Sequence, residues 1–389
     1  MGNCSVLQVR PALAGRRVVV FLNNLDLGGA ERQGLVLARH LVREERAAVE
    51  VWGFDGPGPV TELCDEAGIP WRVVPFRWNG SRLELLVQLL RLVRTLRRAR
   101  PAVLLPYTLP PNVACGALWK FSGARGCIWQ QRDVGIGRCP ARLQRYAVRF
   151  TPRFIANSGA SAGFLMSTLG VAPDLIRVVH NGVVLTPAVE GRAQWRAKLG
   201  LQAAEVVVCM VANLHCNKDH ATLLRAWRLV LDRASTAPIL LLAGRFDDQT
   251  HALKALAFDL KLGNSVRFLG PVKDMFGVLG AVDVGVLSSR AEGSPNGLLE
   301  CMACGLPVAG TDIPGIREAV GPENHVWLAP PGDAGALADR ILRLLDSPDL
   351  RAERGAANRQ RVQREFSPQR MCGETVSLIE EVLGVPDHE

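Results

Sequence analysis

Two glutamates eight positions apart, Glu292 and Glu300, bracket the run Gly-Ser-Pro-Asn-Gly-Leu-Leu in a chain of 389 residues. The apolar segment before them, 282–287, reads as a buried strand, and a helix begins within 294–297. The loop between lies at the strand's carboxyl end, where parallel α/β sheets hold their ligands. A helix N-terminus offers unpaired N–H groups and the positive end of its dipole, which suit a diphosphate. Gly293 and Gly297 let a ligand come close to the backbone. A carboxylate accepts hydrogen bonds from paired hydroxyls, such as those of a ribose or a hexose, so the two acids can grip separate parts of one ligand. The alternative is a solvated loop acid and a helix acid in a surface ion pair. Lys218, just past another strand end, carries a flexible ammonium suited to clamping phosphate; its alternative is a solvated lysine at a helix start.

Strands and helices alternate around these residues along the whole chain. Short apolar, β-branched runs at 17–22, 49–53, 71–74, 102–105, 127–131, 153–157 and 176–180 read as strands, with helices over 30–43, 59–67, 81–99 and 158–169. The turn pair Asn181-Gly182 and the irregular stretch 184–193, with Pro187, read as a linker. The alternation then resumes with strands at 205–212, 238–243, 266–269, 282–287, 307–310 and 326–329, and helices at 220–233, 250–262, 275–281, up to 303, and after 313. Helices over 334–346, 350–366 and 368–383 end the chain, Ser367-Pro368 supplying an N-cap and a first-turn proline. Such alternation predicts an α/β protein of parallel, doubly wound sheets. The length accommodates two domains and hence a cleft. We divide the chain into residues 1–185, 186–366 and a C-terminal helix and tail, 367–389, returning to the first domain.

Hydrophobic residues at 48% with 21% charged mark a globular protein rather than a disordered one. No apolar run reaches the roughly 18 residues of a membrane-spanning helix. The N-terminus lacks an apolar leader segment, and Val6 stands where a myristoylation signal wants Ser or Thr. Ten scattered cysteines form no disulfide or zinc framework; Cys301 and Cys304 could be a redox pair but read better as small buried residues. The expectation is a cytoplasmic protein. Residues 1–190 hold 24 Lys and Arg against 13 acids, whereas 191–389 hold 22 against 24. A basic first half points to a polyanionic partner: nucleic acid, an anionic membrane surface or a pyrophosphate-linked molecule. Nucleic acid is disfavoured, because interleaved aromatics and recognised modules are missing. The leucine-rich helix 81–100, with Arg91, Arg94 and Arg98 on one face, can lie on an anionic membrane, with a solvated outer helix as the alternative.

The Glu-x7-Glu spacing followed by CMACGLPVAGTDIPGIREAV resembles the signature of retaining glycosyltransferase family 4, which has the GT-B fold of two Rossmann-like domains facing across a cleft. Similar blocks are LGGAERQ at 27–33, ANSGASAGFL at 156–165, VVHNGV at 178–183, VANLHCNKDHATLLRAW at 211–227 and LLAG at 241–244. The resemblance implies that the first domain binds the acceptor and the second a nucleotide diphosphate sugar. It assigns Glu292 to hydroxyls of the donor sugar and Glu300 to the nucleotide ribose. Ser294 falls in the sugar pocket, Asn296, Gly297 and Leu298 against the diphosphate and sugar, and Lys218 against the donor phosphates.

This chain departs from the family pattern in carrying Asn213 where relatives carry an arginine; Arg245 can compensate. Gly28 and Gly29 fall beside the cleft. Tyr107 and Thr108 occupy the place of a catalytic histidine found in some relatives. Arg132, with Asp133, is a candidate donor or acceptor contact, with a structural salt bridge as the alternative. The implied reaction retains configuration by front-face attack, with the leaving diphosphate helping to deprotonate the acceptor, so that Lys218 and the helix N-terminus replace a metal and no cofactor is expected. The expected partners are a UDP-sugar or GDP-sugar donor and a glycan or lipid-linked acceptor, as in cell-surface polysaccharide or glycolipid synthesis. Two other readings share these features: a non-hydrolysing nucleotide-sugar epimerase, and a non-catalytic nucleotide- or nucleic-acid-binding protein.

Overall fold

The computed structural model describes residues 11–135 and 139–385. The expectations resting on Cys4, Val6 and the last four residues lie outside them. The described chain forms two compact units, 11–182 with 368–385, and 183–367.

The first unit runs β1 (Arg17–Leu22), α1 (Gly29–Arg43), β2 (Ala48–Gly53), α2 (Pro59–Ala67), β3 (Trp71–Val73), α3 (Arg82–Ala99), β4 (Val103–Pro106), α4 (Leu109–Ser122), β5 (Gly126–Gln131), α5 (Ala141–Phe150), β6 (Arg153–Ala156), α6 (Gly159–Ser167) and β7 (Ile176–Val178). Its seven strands are all parallel, in the order β3-β2-β1-β4-β5-β6-β7. Side chains alternate across β1. Val18, Val20 and Leu22 enter one core layer, while Val19 and Phe21 enter the other, against α3 and α4. Both layers are buried, which explains the continuous apolar strands.

The second unit runs α7 (Arg192–Lys198), β8 (Val207–Val211), α8 (His220–Arg233), β9 (Ile239–Ala243), α9 (Thr250–Asp259), β10 (Val266–Gly270), α10 (Met275–Gly280), β11 (Val284–Leu287), α11 (Asn296–Ala303), β12 (Val308–Thr311), α12 (Pro314–Val320), β13 (Leu328–Ala329), α13 (Ala334–Leu345) and α14 (Pro348–Glu365). Its six parallel strands are ordered β10-β9-β8-β11-β12-β13 around one core. In each sheet the first strand of the unit lies inside and the chain winds outward in both directions. Helices α3, α12 and α14 start as the sequence requires: Ser81 and Glu84 close a reciprocal capping box, while Pro314 and Pro348 occupy first-turn positions where no N–H is needed.

Three helices were not anticipated. Helix α4 is buried nearly all round, so it lacks a helical contrast of polar and apolar faces; it opens Leu-Pro-Pro, with its prolines in the first turn, where no N–H is needed. Helix α5 has no side-chain N-cap to announce it, and α7 occupies the end of the presumed linker and the residues after it.

The last helix, α15 (Pro368–Leu383), belongs to the first unit and packs on α1, β5 and β6. Met371, Cys372, Leu378, Ile379 and Leu383 join the core layer on that face, and Glu381 bridges Arg153 of β6 and Arg177 of β7. This helix is part of the core rather than an appendage. Replacing fully buried Ile379 by Ala will therefore lower the stability of the first unit by about 2–5 kcal/mol in urea unfolding.

Candidate functional site

In the second unit β8 and β11 are parallel neighbours, paired through Val208 and Val284, and the strand order reverses between them. The loops leaving their carboxyl ends must diverge there, which opens a crevice. The loop after β8 carries Asn213 and Lys218; the loop after β11 carries Glu292 and Ser294.

The two loops are tied together. Ser288 Oγ donates to the carbonyl oxygens of Lys218 and Asp219 at 3.1 and 3.0 Å, and the Arg290 N–H donates to the Asn217 carbonyl at 2.9 Å. Asp219 holds a left-handed backbone, φ +47°, and its buried carboxylate accepts from Arg290 at 3.2 Å and from Thr222 Oγ1 at 2.9 Å. These bonds aim Lys218 at Glu292. Lys218 Nζ donates to Glu292 Oε1 at 2.5 Å, and Ser289 Oγ donates to the same oxygen at 2.6 Å. Thr311 Oγ1 in turn donates to the Ser289 carbonyl at 2.6 Å. The Glu292 side chain is 8% exposed and that of Lys218 29%, so the carboxylate is set below a more accessible ammonium.

Close backbone packing fixes the start of α11. A Cβ on Gly297 would collide with the carbonyl oxygen of Val211 at the end of β8, and one on Gly315 with the carbonyl of Glu292. Glycine is required at both positions because backbone meets backbone. Asn296 and Glu300, four apart, share one half-buried helix face, while Leu298, Leu299, Cys301 and Met302 are buried. Ser294 accepts the Asn296 N–H at its carbonyl oxygen, 3.1 Å away. Asn213 braces the neighbouring loop: its Oδ1 accepts the Arg245 N–H at 3.0 Å, so Arg245 lies beside it, with its guanidinium 3.7 Å from Asp247.

Sequence reasoning did not single out Asp219, Ser288, Ser289, Arg290 or Thr311, short-range partners that fix the pair. The Ser288-Ser289 step directly after an apolar strand was the available signal. It also passed over His220, buried at the start of α8. Burial, with the Lys218 ammonium nearby, pushes its imidazolium down to about 4 from 6.5. The Cys301 and Cys304 thiols are pushed up by burial, the latter to about 12, which fits packing rather than redox chemistry.

In the first unit the strand order reverses between β1 and β4. Gly28 is the N-cap of α1 and Gly29 its first residue, one position earlier than the sequence implied. Tyr107 follows β4 and is fully buried; the Arg132 guanidinium stacks 4.8 Å from its ring centre. Arg132 is itself buried, donating to Asn181 Oδ1 at 3.0 Å and Gln130 Oε1 at 2.6 Å. Thr108 adopts φ +65°, an uncommon conformation for a β-branched residue.

Among the described residues, His215, Cys216 and Asp248 form a group of metal-ligand types, with candidate atoms within 4.8 Å of one another. Here His215 Nδ1 accepts the Asn217 N–H at 3.3 Å, which commits one ring nitrogen to the loop itself.

Two doubly wound parallel sheets, one with a cation and a carboxylate at its switch point, define the GT-B type of architecture. Residues 27–186 match the family model described as Glycosyltransferase Family 4, and residues 205–347 the model described as Glycosyl transferases group 1. The chain belongs to the family-4 glycosyltransferases. The D-inositol 3-phosphate glycosyltransferase of Saccharomonospora viridis is 31% identical over 59% of this chain and 56% of its own length. The GDP-mannose-dependent monoacylated alpha-(1-6)-phosphatidylinositol monomannoside mannosyltransferase of Corynebacterium glutamicum is 32% identical over 47% and 49%. The chain spans about half the length of these curated relatives. In fold it resembles HepE of Anabaena, crystallised with UDP and glucose: TM-score 0.80, 22% identity, over 94% of this chain and 99% of that one.

Two outcomes follow from the packing. Gly297→Ala will destabilise the second unit by about 1–3 kcal/mol in urea unfolding, because the added methyl meets a carbonyl oxygen rather than a yielding side chain. His220 is neutral in the folded protein until pH falls to about 4, while in the unfolded chain it takes its proton near 6.5. Its contribution is therefore complete above pH 6.5 and declines as pH falls toward 4. A His220→Gln variant will show a flatter fall of melting temperature across that window than the parent.

Proposed function

We propose that this protein transfers a sugar, with retention of configuration, from a nucleotide diphosphate donor to a glycan or lipid-linked acceptor. The observation that carries the reading is the Lys218–Glu292 pair at the switch point of the second sheet. A diphosphate brings negative charge and a sugar brings hydroxyls, and here an ammonium and a carboxylate stand 2.5 Å apart to receive them.

On donor binding Lys218 exchanges its carboxylate partner for phosphate oxygens, and Glu292 accepts from sugar hydroxyls. Glu300 reaches the ribose, and Asn296, Gly297 and Leu298 present backbone to the diphosphate, with Ser294 in the sugar pocket. Asn213 and Arg245 flank the phosphates. As the glycosidic bond breaks, the electron pair goes to the departing diphosphate, whose growing charge is stabilised by Lys218 and the α11 amides. A phosphate oxygen takes the acceptor proton as the acceptor oxygen bonds to the same face of the sugar. Positioning and fixed charge thus supply the catalysis, with no metal or cofactor in the scheme.

A UDP-sugar is the favoured donor, in line with the UDP and glucose held by the Anabaena protein, and a GDP-sugar is the alternative, as named for the mannosyltransferase. The first unit, with Gly28 and Gly29 at the start of α1 and the buried Tyr107–Arg132 pair at its switch point, is assigned to the acceptor. Its excess of arginine suits an acceptor carrying phosphate, and a role in cell-surface polysaccharide or glycolipid synthesis accords with that class. No helix among the described residues is long and apolar enough to cross a membrane. A cytoplasmic location, with peripheral contact at the inner membrane face, completes the reading; the described cysteines are free thiols, as a reducing compartment favours.

Lys218→Ala and Glu292→Ala will each reduce sugar transfer by at least about a hundredfold, the scale of losing one electrostatic contact to the transition state, with unchanged circular dichroism. Transfer by the parent will persist in EDTA. Full turnover in both variants would remove the assignment.

A further inference from the structure

Helix α3 carries two leucine stripes on opposite sides. The inner one, Leu85, Leu89, Leu92 and Leu96, packs into the core of the first unit. The outer one, Leu83, Leu86, Val87 and Leu90, follows i, i+3, i+4, i+7 spacing and is 72%, 53%, 37% and 47% exposed. One stripe suffices to dock a helix on its sheet; a second, facing water, is left over. Arg94 and Arg97 continue the outer face along the next turns, and both are exposed.

The same spacing recurs on α5. There Arg142, Arg145, Tyr146 and Arg149 share one exposed face. Helix α4 packs between α3 and α5, and all three contribute to one core layer of the sheet. Arg97 Nε donates to the Phe121 carbonyl at the end of α4, and the Phe121 ring is half exposed. The three helices together hold nine Lys and Arg against one acid, Glu84, whose carboxylate is engaged by the Ser81 N–H in the capping box.

We propose that the outer faces of α3 and α5, with the exposed C-terminal end of α4 between them, form a docking surface for an anionic lipid bilayer. Exposed aliphatic side chains beside an arginine field fit a partner that is anionic at its surface and apolar just beneath: the leucines of α3 enter the acyl boundary while the arginines meet headgroup phosphates. A nucleic acid would match the charge but offers no apolar layer to receive four aliphatic side chains. The surface stands on its own residues, and it rests on the transfer reading only for what the membrane would present, a lipid-linked acceptor.

The test is cosedimentation of the full chain with vesicles of phosphatidylcholine alone or mixed with phosphatidylglycerol, at low and high salt. The parent will sediment with the anionic vesicles, not the neutral ones, and salt will release it. The pair Leu86→Ser with Leu90→Ser, and separately Arg145→Glu with Arg149→Glu, will each weaken binding by at least about tenfold while melting temperature is kept. A parent that ignores anionic vesicles, or variants that bind as well as it does, overturn the proposal. So does a parent dimer that the leucine changes turn into monomer while vesicle binding is unaffected, since the stripe then serves a second copy. A UDP thermal shift run alongside separates the two readings: a shift without vesicle binding removes only the docking surface, and vesicle binding without a shift removes only the UDP-sugar reading.

Discussion

The second unit is organised around one electrostatic contact, the Lys218 ammonium on the Glu292 carboxylate. The two residues are 74 positions apart in sequence and sit on different loops, so the contact exists only because β8 and β11 are neighbours whose connections run in opposite directions. Holding it costs the chain something. A carboxylate with an 8% exposed side chain needs compensation, and here Ser289 adds a second donor to the oxygen that Lys218 already holds. Asp219 accepts a strained backbone, and Gly297 and Gly315 give up side chains so that α11 and α12 can press against the loop. Such arrangements are expected where a ligand has to be met by groups already in place.

Much of this fold is legible in the sequence because parallel α/β proteins advertise themselves. Strands buried on both faces must be continuously apolar, and loops between them must turn sharply, so β1, α2, α8 and α15 carry the boundaries the sequence implied. What escaped has a physical reason. Periodicity reveals a helix only when one face is wet, and α4 is buried on nearly every side. Candidate site residues were legible singly: Lys218 from its place after a strand, Glu292 and Glu300 from their spacing. The resemblance brought them to one donor, but the direct contact of Lys218 with Glu292 was not legible, since sequence order does not state which strands lie side by side. The bracing residues Asp219, Ser288 and Thr311 were hidden for a related reason, because a short polar side chain near a turn looks the same whether it faces water or a carbonyl. At Asn213 the amide holds the Arg245 backbone, a bracing role that a change of residue type alone does not disclose.

The two units put their charge to different uses. In the second, the charged groups of the switch point are few and paired side chain to side chain. In the first, the arginines of α3 and α5 lie outermost, on helices whose inner faces supply the core. Arg132 belongs to neither pattern: a buried guanidinium whose two terminal nitrogens donate to amide oxygens and whose plane meets the face of Tyr107, it ties β5 to the segment after β7 through Asn181. The C-terminal helix closes the same unit from the other core layer, so that face of the first sheet is covered only when residues 368–383 have packed on it.

A crystal structure of the protein with a nucleotide diphosphate sugar tests the central claim most directly. The account requires Lys218 Nζ within hydrogen-bonding distance of a phosphate oxygen, sugar hydroxyls donating to Glu292, and the salt bridge between the two residues opened to admit them. A donor bound elsewhere, with that salt bridge still closed, would contradict it.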